Sequence, residues 1–219
     1  AALAEVRKAR AAGQRHFGVE TCTQYLTLTE DAYADPQEGL KAIMSPPLRT
    51  GADCAALWGG LADGSVDAVA TDHCPFRFAV EKQYGVGDFT ACPNGAPGVE
   101  ERLPVLYSEG VAKGRITLPQ LVRLACAGPS RLYGLYPQKG TLQPGADADV
   151  VILDPNGTRT LTQSTLHSAA DYTCYEGMEL QGKIDLVLSH GEVIVQDNQF
   201  LGRKGAGRYL KRGRSCLAE

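Results

Sequence analysis

Val66-Asp67-Ala68-Val69-Ala70-Thr71-Asp72-His73-Cys74-Pro75-Phe76 is the stretch on which the fold turns. Its first five residues are mostly small or β-branched and apolar, and Gly64-Ser65 and Pro75 bound the run, which is the pattern of a short buried strand. An acidic residue at the C-terminal end of such a strand is where α/β barrels keep their chemistry. A carboxylate buried there needs a cation, a metal or several hydrogen-bond donors beside it, because desolvating it alone is costly. Taken by itself, Asp72 reads equally well as a structural residue that caps the following turn.

Outward from this stretch, strands and helices alternate. Leu3, Val6 and Ala9 fall at helical spacing, with Gly13 as a stop. His16 to Val19 reads as a strand, and Lys41 to Met44 as another that Pro46-Pro47 cuts off. Cys54 to Ala62 reads as a helix with Leu57, Trp58 and Leu61 on its apolar face and Gly64 at its end; the strand 66–70 follows. Parallel α/β folds require this rhythm. After a loop over 75–96, helices resume at about 98–111. Thr117 with Gln120 forms a capping box for the next, whose buried stripe is Leu118, Leu121, Val122 and Ala125. Gly128-Pro129 starts a short one.

Composition shifts at Lys139-Gly140. Short β-type runs follow, among them Asp149 to Leu153 and a hairpin of Ile184–Ser189 with Glu192–Gln196 through His190-Gly191. The reading divides the chain into a barrel-like α/β portion over 1–138 and a β portion over 139–219 with a basic tail.

Composition also narrows the function. The 219 residues are 43% hydrophobic and 21% charged, as in ordinary globular proteins. The net charge of −3 is made of mixed signs, which argues against nucleic acid as a partner. The one basic cluster, Arg203, Lys204, Arg208, Lys211, Arg212 and Arg214, is short and broken by glycine; it reads as an arm that docks on a neighbouring subunit. The seven cysteines, at 22, 54, 74, 92, 126, 174 and 216, form no Cys-x-x-Cys, which fits reduced thiols in a cytoplasmic protein. No apolar run is long enough to span a bilayer, and the start has no signal-peptide pattern, so no membrane partner is expected. A complete (β/α)₈ barrel takes about 250 residues. Here the barrel-like portion ends near Gly134 and Ala1 sits inside a helical pattern, so a fragment or truncated product is expected.

Several blocks carry a more specific signal. Glu20-Thr21-Cys22-Thr23-Gln24-Tyr25-Leu26, Met44-Ser45-Pro46-Pro47-Leu48-Arg49, Thr71 to Phe76, Asp88-Phe89-Thr90 and Cys92 to Arg102 occur in that order. Together they resemble the C-terminal part of the dihydropyrimidinase and D-hydantoinase family of cyclic amidohydrolases. The resemblance continues through Lys139 to Asp149, similar to the return into that family's β-sandwich, and on to Gly205–Arg212. The fold it implies is the last strands and helices of a metal-dependent hydrolase TIM barrel, incomplete, followed by part of a small β-sandwich. The activity it implies is hydrolysis of the cyclic amide of a dihydropyrimidine or hydantoin to an N-carbamoyl amino acid, with hydroxide held by two divalent metals, usually zinc.

Residue by residue, the resemblance makes Asp72 a metal ligand and the catalytic proton carrier. It makes Ser45 and Asn94 the positions whose backbone groups hold the amide edge of the substrate ring; Ser-Pro and Asn-Gly mark turns in any case. His73 is expected to be a supporting or structural residue, facing away from Asp72 if the strand continues. His16, His167 and His190 show no ligand spacing, Cys74 reads as a buried inert thiol, and Trp58 as core.

The resemblance also implies what lies outside these residues. The family's His-x-His pair, its carbamylated lysine and two further histidines lie upstream of the matching blocks. One carboxylate cannot hold two zinc ions, so the isolated chain is expected to be inactive, to bind zinc incompletely, and to aggregate through exposed strand edges. A homo-oligomer, a tetramer, follows by analogy. Thr23 stands where bacterial relatives usually have Pro, and Gly128 where they often have Asn. Retention of Asp72 and Asn94-Gly95 favours the enzymes over the non-catalytic dihydropyrimidinase-related scaffolds, which lack the Asp. Ser45 to Arg49 paired with Pro93-Asn94-Gly95 favours them over dihydroorotases and allantoinases.

Overall fold

A computed structural model describes residues 1–218. Helix α1 (Ala2–Ala11) half-buries Leu3, Val6 and Ala9, the expected stripe. Arg7 and Arg10 pair with Asp63 at 2.7 Å and Asp67 at 2.6 Å, which fastens α1 beside the segment leading into the decisive strand. Strand β1 (Glu20–Cys22) and helix α2 (Gln24–Thr27) follow, then α3 (Gly51–Asp63) and β2 (Ala68–Ala70). β1 and β2 pair in parallel, Glu20 with Ala68 and Cys22 with Ala70, and α3 lies on the crossover between them.

Local chemistry fixes α3 at both ends. Thr50 and Asp53 complete a reciprocal capping box, and Gly64 closes the helix in the left-handed conformation at φ 81°. Trp58 and Leu61 bury against Leu26, Val66, Val69, Leu106, Leu121 and Leu124. The Trp58 indole N–H donates to the Leu26 carbonyl at 2.9 Å, so no buried donor is stranded.

Two expected strands differ. The strand expected at His16–Val19 lies just downstream at 20–22. The Val19 carbonyl accepts from the amides of Asp67 and Ala68, and the Val19 N–H donates to the Asp67 carboxylate at 2.8 Å, so a side chain interrupts the ladder there. Lys41 to Met44 is not a strand: Glu38–Ala42 is a 3₁₀ segment, and the Ile43 carbonyl accepts from Gly95 N–H and from the Lys82 ammonium instead of from a sheet neighbour.

Helix α4 (Arg102–Leu106) runs into a π-helical segment over Tyr107–Ala112. Helix α5 (Leu118–Val122) runs through a second, Arg123–Ala127, into α6 (Gly128–Leu132). Pro129 has no N–H to offer the regular ladder, which accounts for the irregular turn before it. The Thr117–Gln120 capping box forms as expected. The expected apolar stripe does not hold: Leu121 and Leu124 are buried, whereas Leu118 and Val122 are 55% and 48% exposed on an open groove facing the second sheet. At Gly128 a Cβ would lie 2.5 Å from the Asp67 carbonyl oxygen, so α6 starts hard against the backbone that feeds β2.

The second sheet is antiparallel, in the order β3 (Val150–Thr160), β4 (Glu179–Ser189), β5 (Glu192–Gln196), β6 (Gln199–Phe200). β4 and β5 form the expected hairpin, with His190 and Gly191 both at positive φ, as a two-residue primed turn requires. Leu161, Tyr175 and Leu180 bury against Val105 of α4. The first sheet has two strands, so no barrel closes among the described residues.

Candidate functional site

β2 ends at Ala70, and the next carbonyl, that of Thr71, accepts from the Gln24 amide side chain at 3.0 Å. Asp72 then takes φ 50°. Aspartate is among the few residues that tolerate this left-handed conformation. The turn ends the strand, so the alternation expected to point His73 away from Asp72 does not apply. His73 instead bridges in parallel to Ala96, and the Cys74 N–H donates to the Ala96 carbonyl at 3.0 Å. The His73 Nδ1 accepts from the amides of Gly98 at 3.1 Å and Val99 at 3.3 Å, which places its proton on Nε2. His73 thus holds the 96–99 segment against the Asp72 turn.

The Asn94 segment is fixed from two sides. Gly95, at φ 115°, donates its N–H to the Ile43 carbonyl at 3.0 Å, and a Cβ there would lie 2.5 Å from the Cys74 sulfur. Only glycine satisfies both conditions. Segments 43–48, 72–74 and 94–98 therefore lie side by side, and the Ser45 hydroxyl donates to Asn94 Oδ1 at 3.4 Å. Two tyrosines brace the first of these segments. Tyr25 donates its hydroxyl to the Pro46 carbonyl at 2.9 Å; Tyr33 accepts from Leu48 N–H at 2.9 Å and donates to the Ala42 carbonyl at 3.2 Å. Thr23 sends both its N–H and its hydroxyl to the Ala70 carbonyl, extending the β1–β2 ladder through a donor that proline lacks.

A cleft of about 570 Å³ opens here, with Ser45, Pro47, Asn94, Tyr33 and Phe89 in its wall; Asp72 stands outside that wall. Burial, then Glu20, then the Asp72 charge push the Cys22 thiol up to about 12. Burial, Cys22 and Asp72, in that order, push Tyr25 up to about 12 as well. Asp72 thus acts electrostatically on the tyrosine whose hydroxyl reaches the Ser45-Pro46 turn.

Ser45, Asp72 and Asn94 are all exposed. The expectation of a buried Asp72 ringed by donors is corrected: β2 has a strand neighbour on one side only, and the residue past its end stays open to solvent. Among the described residues, no three His, Cys, Asp or Glu side chains converge as a metal-binding group. His16 lies against the Leu217 carbonyl, His167 against Glu100, and His190 in a cluster with Lys139, Asp147 and Asp149. A zinc site draws three or four ligands from protein, so these residues alone do not fit the two-metal centre that the sequence resemblance implies.

Lys82 escaped the sequence reading. Its residue is 0% exposed, and its ammonium donates to the carbonyls of Ile43 at 2.9 Å and Pro93 at 2.8 Å. Burial holds it below the usual lysine range, with the nearby thiols of Cys92, Cys174 and Cys74 acting in the opposite direction. No motif marks it; Glu81-Lys82 in a loop reads as a solvated pair.

The amidohydrolase family model matches residues 22–194. A D-phenylhydantoinase of Escherichia coli O1:K1 is 51% identical over 194 residues, which cover 89% of this chain and 42% of that protein. The crystal structure of a dihydropyrimidinase from Brevibacillus agri NCHU1002 superposes with a TM-score of 0.95 at 43% identity, covering 98% of this chain and 46% of its own. An L-hydantoinase (dihydropyrimidinase) from Arthrobacter aurescens superposes with a TM-score of 0.87 at 34% identity, covering 96% of this chain and 46% of its own. The chain spans less than half the length of these relatives.

Proposed function

This chain belongs to the amidohydrolase family, and from that premise we propose that it supplies one side of a metal-dependent cyclic amidase acting on dihydropyrimidines or hydantoins. Its mixed α/β fold matches one part of the hydantoinase structures: an open section of barrel followed by antiparallel strands. The observation that carries the reading is the meeting of three segments, with Asp72 on its left-handed turn beside Asn94–Ala96 and the Ser45 hydroxyl on Asn94.

In this reading the backbone groups of Ser45 and Asn94 hold the imide edge of the ring, fixing the scissile amide for attack. The Asp72 carboxylate accepts the proton of the attacking water and delivers it to the ring nitrogen as the C–N bond breaks, which leaves an N-carbamoyl amino acid. His73 keeps the neighbouring segment in place through its two accepted hydrogen bonds. Two divalent cations, zinc by resemblance, are the implied cofactor, and Asp72 is the one ligand this chain offers them. The small cyclic amide is the implied partner, with a cytoplasmic homo-tetramer as the implied assembly and the 1–138 and 139–219 portions as its barrel and sandwich parts.

The test is turnover of dihydrouracil and hydantoin by a full-length protein carrying this chain, followed by loss of ring absorbance. Asp72→Asn is expected to cut kcat by about 10²–10⁴-fold with an unchanged melting transition. A near-normal rate removes Asp72 from the chemistry. The 219-residue chain alone is expected to be inactive; stoichiometric zinc with turnover would overturn that.

A further inference from the structure

We propose that Lys82 is a positioning residue: one buried ammonium clamps the carbonyls of Ile43 and Pro93 and so fixes the spacing of the turns that carry Ser45 and Asn94. Its place in the chain suits this. Ile43 stands two residues before Ser45, and Pro93 immediately before Asn94. The two carbonyls take the ammonium at 2.9 and 2.8 Å, and the Phe76 ring centroid lies 5.9 Å from the nitrogen. Gly95 N–H donates to the same Ile43 carbonyl, so both turns converge on one oxygen.

A buried ammonium without a carboxylate partner is costly, and an apolar side chain of similar length would fill the space at less cost. What the lysine adds is directed donors. Two carbonyl dipoles and an aromatic face stabilise its charge where it sits. The Glu81–Gly85 turn that presents it is itself pinned. Arg77 and Glu81 pair at 2.7 Å, and the Lys82 N–H donates to the Arg77 carbonyl at 3.1 Å. At Gly85 a Cβ would lie 2.6 Å from Cys92 Cβ and 2.8 Å from a Leu40 methyl. The functional consequence rests on the reading that these turns face the substrate ring; the clamp itself rests on geometry.

Lys82→Met keeps most of the stem and removes the donors. In a full-length protein carrying this chain, we expect the Gly95 amide to exchange with solvent about tenfold faster while the amides of α3 stay as in wild type. KM for dihydrouracil is expected to rise about tenfold with kcat changed less than about threefold, and Lys82→Arg, which retains donors, to fall in between. Unchanged exchange at Gly95 overturns the clamp, whatever the activity. Faster exchange in an enzyme whose wild type opens no cyclic amide supports the clamp and sinks the substrate reading instead. Should Lys82→Met fail to fold, acetylation of the native wild type decides. Lys82 is expected to react only after Lys8 and Lys113, whose side chains are 80% and 53% exposed, and equal rates overturn the proposal.

Discussion

Asp72 shows how backbone and chemistry are joined at one position. Its φ of 50° suits Asp, Asn and Gly, so Asp72→Asn isolates the charge, whereas Asp72→Ala adds a backbone cost of about 1–2 kcal/mol. Gly95 sets a steric limit beside it. Gly95→Ala is expected to destabilise by at least about 1–3 kcal/mol from backbone strain alone, before the clash with Cys74, as read by urea denaturation. An unchanged midpoint would refute the close approach. Cys22 and Cys174 are each pushed up to about 12, chiefly by burial. Their ordinary value is 9.0, so between roughly 9 and 12 the folded state holds protons that the unfolded state has lost, and stability falls as pH rises through that window. At pH 8 both are expected to resist iodoacetamide in peptide mapping while exposed Cys216 reacts. Asp72 and Asn94 were legible because strand ends and Asn-Gly turns carry local signatures. Lys82 was not, because its role comes from two carbonyls brought to it by tertiary folding.

Among the elements, those with their own punctuation were the readable ones. α3 has an apolar face and a closing glycine, although it starts at Gly51, three residues ahead of the expected Cys54, and the β4–β5 hairpin has its two-residue turn. Thr50→Ala removes half of the α3 capping box and is expected to cost about 1 kcal/mol in chemical denaturation; no loss would mean the box is idle. β1 and β2 are three residues each, too short for any pattern to fix their ends, and Asp67 shifts the first by taking a ladder donor. The exposure of Leu118 and Val122 could not be read from helical spacing, since it depends on a π-helical segment and on what faces the helix.

For the molecule as a whole, among the described residues, the two-stranded first sheet leaves a free edge on each strand, and β3 is an edge of the second. Along the groove beside β3 the apolar side chains of Leu118, Val122, Leu142 and Val151 are 41–74% exposed. Unpaired edges and contiguous apolar surface favour self-association. The isolated chain is expected to form concentration-dependent oligomers and to bind a hydrophobic dye. A single monomeric species by light scattering, melting cooperatively, would contradict this. The succession of α3 and β2 and the later run of strands were visible in the sequence, whereas the strand expected at 41–44 did not form; which edges lie bare was not visible, because that depends on the partners each strand finds.

The contact between Gly128 and the Asp67 carbonyl has a practical corollary for anyone improving this scaffold. Any residue with a Cβ at 128 requires the chain ahead of β2 to retreat, so a thermostability library has to vary that chain together with position 128. A substitution at 128 alone is expected to lower the melting midpoint, and a paired change in the segment ahead of β2 to restore it.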